Sequence, residues 1–488
     1  MKNVLTVEQM RAAEADAMSR GLDGSYLSMN AALCIADGLS ARAGADGAET
    51  AVFCGSGGNG CDGILAAIRM HRQGRRVTVY KVSDSEGSEF YRRTLCYARS
   101  AGVPIKSASD YGGNADILVD AIFGIGLNRP IEGEVKTLIE KLNAQENAFR
   151  LAVDIPSGLN GDTGEIMGVA FDARVTLTFS CYKRGMLFGS GRDKCGDIVV
   201  DDVGIDTQSN MRVYEDGDFK THRRKISAHK GDMGRVFVIG GCGTMIGAPI
   251  LAGAAAHSAY LNGAGTVTVC LPSIHRVAAA SRYTLSMLKF LKDTPDGFIK
   301  FDEGELDEIF SRATAINIGT GMGATPDLKK ILEYICDNFD GKLIIDADGL
   351  NAVAGDYAFL RGCKPQLLIT PHVGEFRRLT GKPATVENAV ALAEEINGVV
   401  VMKSATTVIT DGKEVRLNVS GTPAMAKGGT GDVLGGCITA LSCSYPLFDA
   451  ATIACYRNGI GAERAVSAYA QMMLTPRDIL NMADYDEL

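Results

Sequence analysis

The sequence predicts two successive α/β domains, and three observations carry that expectation. Short apolar runs alternate with Ala- and Leu-rich stretches of helical length, the alternation dissolves once and restarts, and glycines gather where the runs end. Gly supplies 58 of 488 residues, about 12% against roughly 7% in average usage. Only 13 Pro accompany it, without a G-X-Y period, which excludes collagen and Pro/Gly-rich disorder. A 46% hydrophobic content fills sizeable cores, and the length corresponds to about two to four domains.

Element by element, a helix is expected after Thr6, which has capping-box spacing to Gln9 ahead of a stretch rich in Ala, Glu, Met and Arg. The apolar runs AVFCGS from Ala51, RRVTVYKV from Arg75, DILVDAIFG from Asp116, LAVDIPSG from Leu151 and VTLTFSC from Val175 follow. Their length and Val/Ile content read as buried parallel strands joined by helices. Between about Asp206 and Gly231 the pattern gives way to a polar stretch of mixed charge, where a domain boundary is expected. Alternation resumes with GRVFVIGG from Gly234, GTVTVCLP from Gly265, AINIGTG from Ala315, KLIIDADG from Lys342, QLLITPH from Gln366 and VVMKSATTVIT from Val400. The two halves are not obvious repeats, because their glycine-rich loops differ in order and content.

The formal charge of −8 argues against a general nucleic-acid or anionic-membrane surface. Thirteen cysteines are scattered, odd in number and lack paired C-x-x-C motifs, so reduced, mostly buried thiols are expected. Glu8, Arg11 and Glu14 interrupt any apolar leader, and no uncharged run is long enough to span a bilayer. A cytoplasmic protein with no nucleic-acid or membrane partner is the expectation.

GSGGNGCDG, Gly55 to Gly63, follows a predicted strand and precedes a predicted helix, ILAAIRMHRQG. Glycines there let backbone approach an anion and turn a helix N-terminus toward it; a purely structural tight turn is the alternative. Later strand ends add Asp120, Arg129, Asp154 and Ser157. Ligands of parallel sheets collect beyond carboxyl ends of strands. Asn59, Asp120 and Ser157 are hard oxygen donors suited to an alkali or alkaline-earth cation. Asp154, at the same rim, suits a general acid/base if its surroundings raise its pKa. Each aspartate has a helix-cap or turn role as its alternative.

These residues resemble the NAD(P)H-hydrate epimerase family over roughly residues 1 to 210. The loop resembles that family's N-N-G-G-D-G signature, and D-x-x-x-G-x-G-L-x-R and V-D-I-P-S-G follow in order. Gly58 replaces the first Asn, and Cys61 replaces a Gly, putting a side chain where positive φ or close approach is expected. The resemblance implies a Rossmann-like three-layer αβα domain that interconverts the R and S hydrates of NADH and NADPH. It further implies a potassium ion on Asn59, Asp120 and Ser157, with substrate along Gly58, Asn59, Gly60, Cys61 and Asp62, then Gly124, Ile125, Gly126, Leu127, Asn128, Arg129 and Pro130, and Asp154. Epimerising C6 requires hydroxide or water to leave and return on the other face while the N1 lone pair stabilises the cation. Asp154 is the expected proton carrier.

GGTGDVLGG, ending at Gly436, opens a second helix, DVLGGCITALS, and puts an acid directly after the glycines. That order suits phosphoryl transfer, in which backbone N–H groups hold developing charge and Asp432 takes a proton from the attacking hydroxyl. Stabilisation of a first-turn acid by the helix dipole is the bland alternative. No G-x-x-x-x-G-K-[ST] occurs, so a P-loop is not expected.

G-G-T-G-D resembles the anion hole and base of the ribokinase-like superfamily. HKGDMGRVFVIGG from His229, IGAPILAG from Ile246, GTGMG from Gly319, DADGLN from Asp346, TPHVGEFRRL from Thr370 and KSATTVI from Lys403 are similar to the ADP- or ATP-dependent NAD(P)H-hydrate dehydratase family over residues 222 to 488. The resemblance implies a ribokinase-like αβα domain, with hydrate contacts at Ala252, Gly321, His372 and Asp432. It implies adenine nucleotide, ADP or ATP, along Lys403, Ser404, Ala405, Thr406, Thr407 and Gly431. Magnesium is expected with the nucleotide phosphates, with Glu375 as an indirect contact. Met245 and Ile246 stand where relatives commonly carry an aromatic.

The combined expectation is a bifunctional cofactor-repair enzyme, assembled as a homo-oligomer. It would epimerise both hydrates and use nucleotide to dehydrate the S form, through phosphorylation of the hydroxyl and loss of phosphate. The alternative is a ribokinase-like small-molecule kinase with an accessory N-terminal binding domain; a non-enzymatic N-terminal dimerisation module is a third reading.

Overall fold

The computed structural model describes residues 1–43, 47–83, 85–215, 217–218, 226–257, 264–282, 286–468 and 471–482. They form two compact units, Lys2–Ser209 and Asn210–Leu488.

In the N-terminal unit seven strands form one parallel sheet in the order Ile105–Ser107, Arg76–Lys81, Glu49–Cys54, Ile117–Ala121, Phe149–Val153, Val175–Phe179 and Asp197–Asp201. Both sheet faces are covered, so the central strands are apolar on both sides. Val52, Val119, Leu151 and Leu177 pack with Ile35, Leu39, Ile64 and Ala67 on one face. The intervening Phe53, Leu118 and Ala152 pack with Ile139, Leu142 and Phe171 on the other. Fully burying each Val, Leu, Ile or Phe side chain among these contributes about 1.5–3 kcal/mol. Thr6 and Gln9 form the expected capping box on helix Val7–Ser19. Lys2–Leu5 pairs in parallel with Tyr182–Lys183, with Leu5 opposite Lys183.

In the C-terminal unit the sheet runs Met287–Leu291, Thr266–Pro272, Arg235–Ile239, Ala315–Ile318, Lys342–Ile345, Gln366–Ile369, Val399–Met402, Thr407–Thr410, Val415–Asn418 and Met211–Val213. It is parallel through Val399–Met402; Thr407–Thr410 is antiparallel to both its neighbours. Helices Gly247–His257 and Thr430–Ser442 pack so closely that a Cβ on Gly436 would lie 2.1 Å from the Ala252 carbonyl oxygen.

Strand Met211–Val213 lies within the polar stretch expected to divide the domains and pairs with Val415–Asn418. The rest of that stretch includes residues 219–225, which lie outside the described residues together with the expected start at 222.

One cysteine expectation is corrected. Cys336 and Cys363 form a disulfide 27 residues apart. Cys336 lies in the last turn of helix Pro326–Asn338, and the Lys364 amide donates to its carbonyl at 2.7 Å, returning the chain alongside. No local spacing announces such a tertiary contact. Eleven other cysteines are free, eight of them buried as expected. Among the described residues, no helix is long and apolar enough to cross a membrane.

Candidate functional site

The N-terminal sheet reverses strand order between Glu49–Cys54 and Ile117–Ala121, where parallel sheets open a crevice. The glycine-rich segment is helical earlier than the sequence indicates: helix Gly58–Arg72 starts at Gly58 behind N-cap Gly57, which makes no side-chain cap. Asn59, Gly60, Cys61 and Asp62 therefore occupy its first turns rather than a loop. Gly60 is sterically required, since a Cβ there would sit 1.9 Å from the Gly55 carbonyl oxygen, whereas Gly58 faces open space. The expected strain at Cys61 is absent: its φ is not positive, and its side chain is buried in the core.

Beside this helix lies a cavity of about 1300 Å³, lined by Glu14, Gly58, Asn59, Asp62, the turn Gly124 to Arg129, Asp154 and Lys183. Gly60, Cys61 and Pro130 do not line it. Gly60 and Cys61 are turned inward beneath the helix N-terminus, and Pro130 is exposed. Asp62 Oδ1 is buried without a hydrogen-bond partner; burial pushes this carboxyl up to about 8, aided by the neighbouring Asp154 and Glu14 charges. Burial, then the Asp154 charge, also raises Glu14.

Asp120 is the penultimate residue of the fully buried strand Ile117–Ala121. Its carboxylate accepts from the Ser157 amide at 2.8 Å and the Ser157 hydroxyl at 2.7 Å. Burial raises it to about 6 against these hydrogen bonds. Ser157 Oγ also accepts from the Phe123 amide at 2.8 Å. Asn59 lies against the next residue: a Cβ on Gly124 would be 3.5 Å from Asn59 Cγ. Both amide atoms of Asn59 are buried without partners. The three predicted cation ligands thus converge on the Phe123–Gly124 segment.

Asp154 follows strand Phe149–Val153 with φ 67°. This left-handed conformation is uncommon outside glycine but tolerated by Asp, and such conformations cluster at functional sites. Its Oδ1 is 2.5 Å from Lys183 Nζ, whose side chain is 1% exposed. Sequence reasoning missed Lys183 and Glu14. A lysine four residues past the end of strand Val175–Phe179 was the available signal for the first; Glu14 looks like any solvated helix residue.

In the C-terminal unit, Asp432 lies in the first turn of helix Thr430–Ser442, behind N-cap Gly429 at φ 98°, a conformation that calls for glycine. Burial, followed by the Asp346 charge, raises Asp432 to about 6, and Lys403 opposes them. Lys403 Nζ is 2.9 Å from Asp346 Oδ1 and 4.0 Å from Glu375 Oε2. A Cβ on Gly431 would be 3.6 Å from the same Nζ, and one on Gly435 would be 3.5 Å from Asp346 Oδ2. The helix N-terminus, Lys403 and Asp346 are thereby brought together. Asp346 was quoted in its motif without a role; its partnership with Lys403 is visible only in three dimensions.

The remaining predicted residues surround this centre. Ser404 and Ala405 are exposed between strands Val399–Met402 and Thr407–Thr410, Thr406 is buried and Thr407 half-buried. His372 caps helix Val373–Thr380, its Nδ1 accepting from the Gly374 amide at 2.9 Å, with the ring about half exposed. It bridges Lys403 through the backbone. Gly321 has φ 65°, and a Cβ there would lie 3.2 Å from Met245 Cβ, which puts that exposed methionine beside the predicted hydrate contact. Ala252 departs from expectation: it is fully buried among Val236, Val238 and Ala440, so it seats the Asp432 helix instead of facing a ligand.

Both units are thus α/β scaffolds presenting a glycine-opened helix N-terminus and a buried carboxylate–lysine pair at their strand ends. Residues 236–483 match the NAD(P)H-hydrate dehydratase family, and residues 25–185 match the YjeF-related protein N-terminus. The bifunctional NAD(P)H-hydrate repair enzyme of Pyrobaculum aerophilum is 32% identical, covering 96% of this chain and 94% of that protein. Its counterpart in Archaeoglobus fulgidus is 34% identical, covering 84% and 83%. A solved ribokinase-like superfamily protein from Enterococcus faecalis is 26% identical with a TM-score of 0.48, covering 56% of this chain and 94% of its own. The chain belongs to the bifunctional NAD(P)H-hydrate repair enzyme family.

Proposed function

We propose that this chain recovers hydrated NADH and NADPH through two separate sites, residues 1–210 epimerising the R and S hydrates and residues 222–488 dehydrating the S hydrate with ADP or ATP. The observation that carries the reading is the occurrence, in each unit, of a carboxylate at a glycine-rich site with a buried lysine nearby: Asp154 with Lys183, and Asp432 with Lys403.

In the first site the hydrate occupies the 1300 Å³ cavity. Gly58, Asn59, Asp62 and the turn Gly124 to Arg129 bind it; Gly60, Cys61 and Pro130 shape those turns from behind. The uncapped helix N-terminus and Arg129 suit the pyrophosphate. Asp154 carries the proton between the departing and returning oxygen at C6. The orphaned Asn59 amide, with Asp120 and Ser157, fits a hard monovalent cation. Potassium bound there would offset the buried Asp120 charge and add positive potential near the substrate.

In the second site Asp432 deprotonates the C6 hydroxyl as it attacks the terminal phosphate. Amides at Gly431 and its neighbours and Lys403 face the phosphates, while Ser404 to Thr407 edge the nucleotide. Gly321 and His372 contact the hydrate, and Ala252 supports the helix beneath it. Asp346 and Glu375 add hard oxygens suited to the magnesium that accompanies nucleotide, whose charge would neutralise phosphate oxygens. A phosphorylated hydroxyl is a better leaving group than hydroxide, and loss of phosphate restores the dihydronicotinamide. A cytoplasmic homo-oligomer acting on small molecules alone completes the reading.

The test incubates the protein with mixed hydrates, with and without each nucleotide. Recovery of 340-nm absorbance and phosphate release from both epimers supports the reading; a stable phosphorylated product supports the small-molecule kinase alternative.

A further inference from the structure

Lys183 is a buried cation that the proposed epimerisation chemistry does not use. Three oxygens surround its ammonium: Asp154 Oδ1 at 2.5 Å, Thr178 Oγ1 at 2.8 Å and the Phe179 carbonyl at 3.1 Å. An ammonium has three protons to donate, so this geometry satisfies it and fixes its direction. Two unusual backbone turns aim the pair. Asp154 at φ 67° leaves strand Phe149–Val153, and Ser180 at φ 60° turns the chain between Val175–Phe179 and Tyr182–Lys183. Pairing of Lys183 with Leu5 holds the second turn in register.

The two carboxylate oxygens of Asp154 consequently differ. Oδ1 is taken by Lys183, with Thr178 Oγ1 also 3.4 Å away. Oδ2 points to the opposite side, where a Cβ on Gly124 would be 3.3 Å from it, and Gly124 is part of the turn lining the cavity.

We propose that Lys183 is the positioning residue of epimerisation: by occupying Oδ1 it confines proton transfer to Oδ2, the oxygen facing the Gly124 turn. The inference rests on the reading of Asp154 as proton carrier. When the C6–O bond breaks, its electrons leave with oxygen, which takes a proton from Oδ2, and the N1 lone pair forms the C6=N1 bond. When water adds to the other face, its surplus proton returns to Oδ2, so protons and electrons balance and Lys183 keeps its own throughout.

The experiment uses full-length K183M, K183R, D154N and the D154N/K183M double variant with purified R hydrate. K183M should lower kcat about 100-fold or more, within the range of acid–base contributions, at a KM within about threefold of wild type. K183R, which keeps the charge, should recover part of that loss, and K183M should cost nothing further on the D154N background. K183Q replaces K183M if the latter does not fold, with the same expected kcat loss. Wild-type kcat in K183M or K183Q, or losses that multiply in the double variant, would overturn the proposal while leaving Asp154 in place. Wild-type kcat in D154N would overturn the Asp154 reading itself, and this inference with it.

Discussion

Lys403 and Asp346 form an ion pair 2.9 Å long with the carboxylate side chain only 3% exposed. Burial lowers the proton affinity of Lys403, but Asp346 and Glu375 outweigh it and raise the group overall. The lysine therefore remains a cation beside the Asp432 helix. Removing one partner of a buried pair typically costs about 3–5 kcal/mol. K403M should accordingly lower stability of the C-terminal unit in urea unfolding, and K403M/D346N should regain part of it because the stranded charge is gone.

Asp432 predicts a specific pH dependence. A general base must be ionised, and burial and Asp346 raise this group to about 6. Dehydration should rise with pH through about 6 and level off above it, with roughly tenfold less activity one unit below. Because Lys403 stabilises the ionised form, K403M should move this limb to higher pH; its residual rate measured from pH 5 to 9 checks the sign.

Gly60 and Gly58 give opposite expectations within one signature. G60A directs a Cβ to within 1.9 Å of a backbone oxygen, so the turn must shift; G58N enters open space. Epimerisation should fall at least about 100-fold in the former, whereas the latter should stay within a few-fold of wild type, measured on R hydrate.

Asp120 ties the expected cation to one carboxylate. D120N retains a hydrogen-bonding side chain but loses the charge that attracts a hard cation. The potassium concentration giving half-maximal epimerisation should rise at least tenfold, read by titrating KCl against a tetramethylammonium background. An unchanged midpoint would exclude Asp120 from the cation site.

Much of this was legible in the sequence because continuous apolar runs such as ILVDA and VTLTF are the mark of strands buried on both faces. The strands that escaped notice, Met211–Val213 and Tyr182–Lys183 among them, are short and carry Arg or Lys, so no period distinguishes them from loop. Asp120, Asp154 and Asp432 stood out because each lies in a glycine-containing motif at a strand or helix end, although a cap or turn role was open to each. Lys183 and Asp346 did not, since their importance lies in partners 29 and 57 residues away. Ala252 failed in the opposite sense: its motif is local, but a neighbouring helix buries it completely.

The central claim is that two independent sites act in sequence on one damaged cofactor. It is tested most directly by giving D432A purified R and S hydrates with ADP or ATP, following epimer interconversion by chromatography and NADH recovery at 340 nm. The account predicts wild-type interconversion with no nucleotide-dependent recovery. Loss of both activities in a folded D432A protein, or recovery at the wild-type rate, would contradict it.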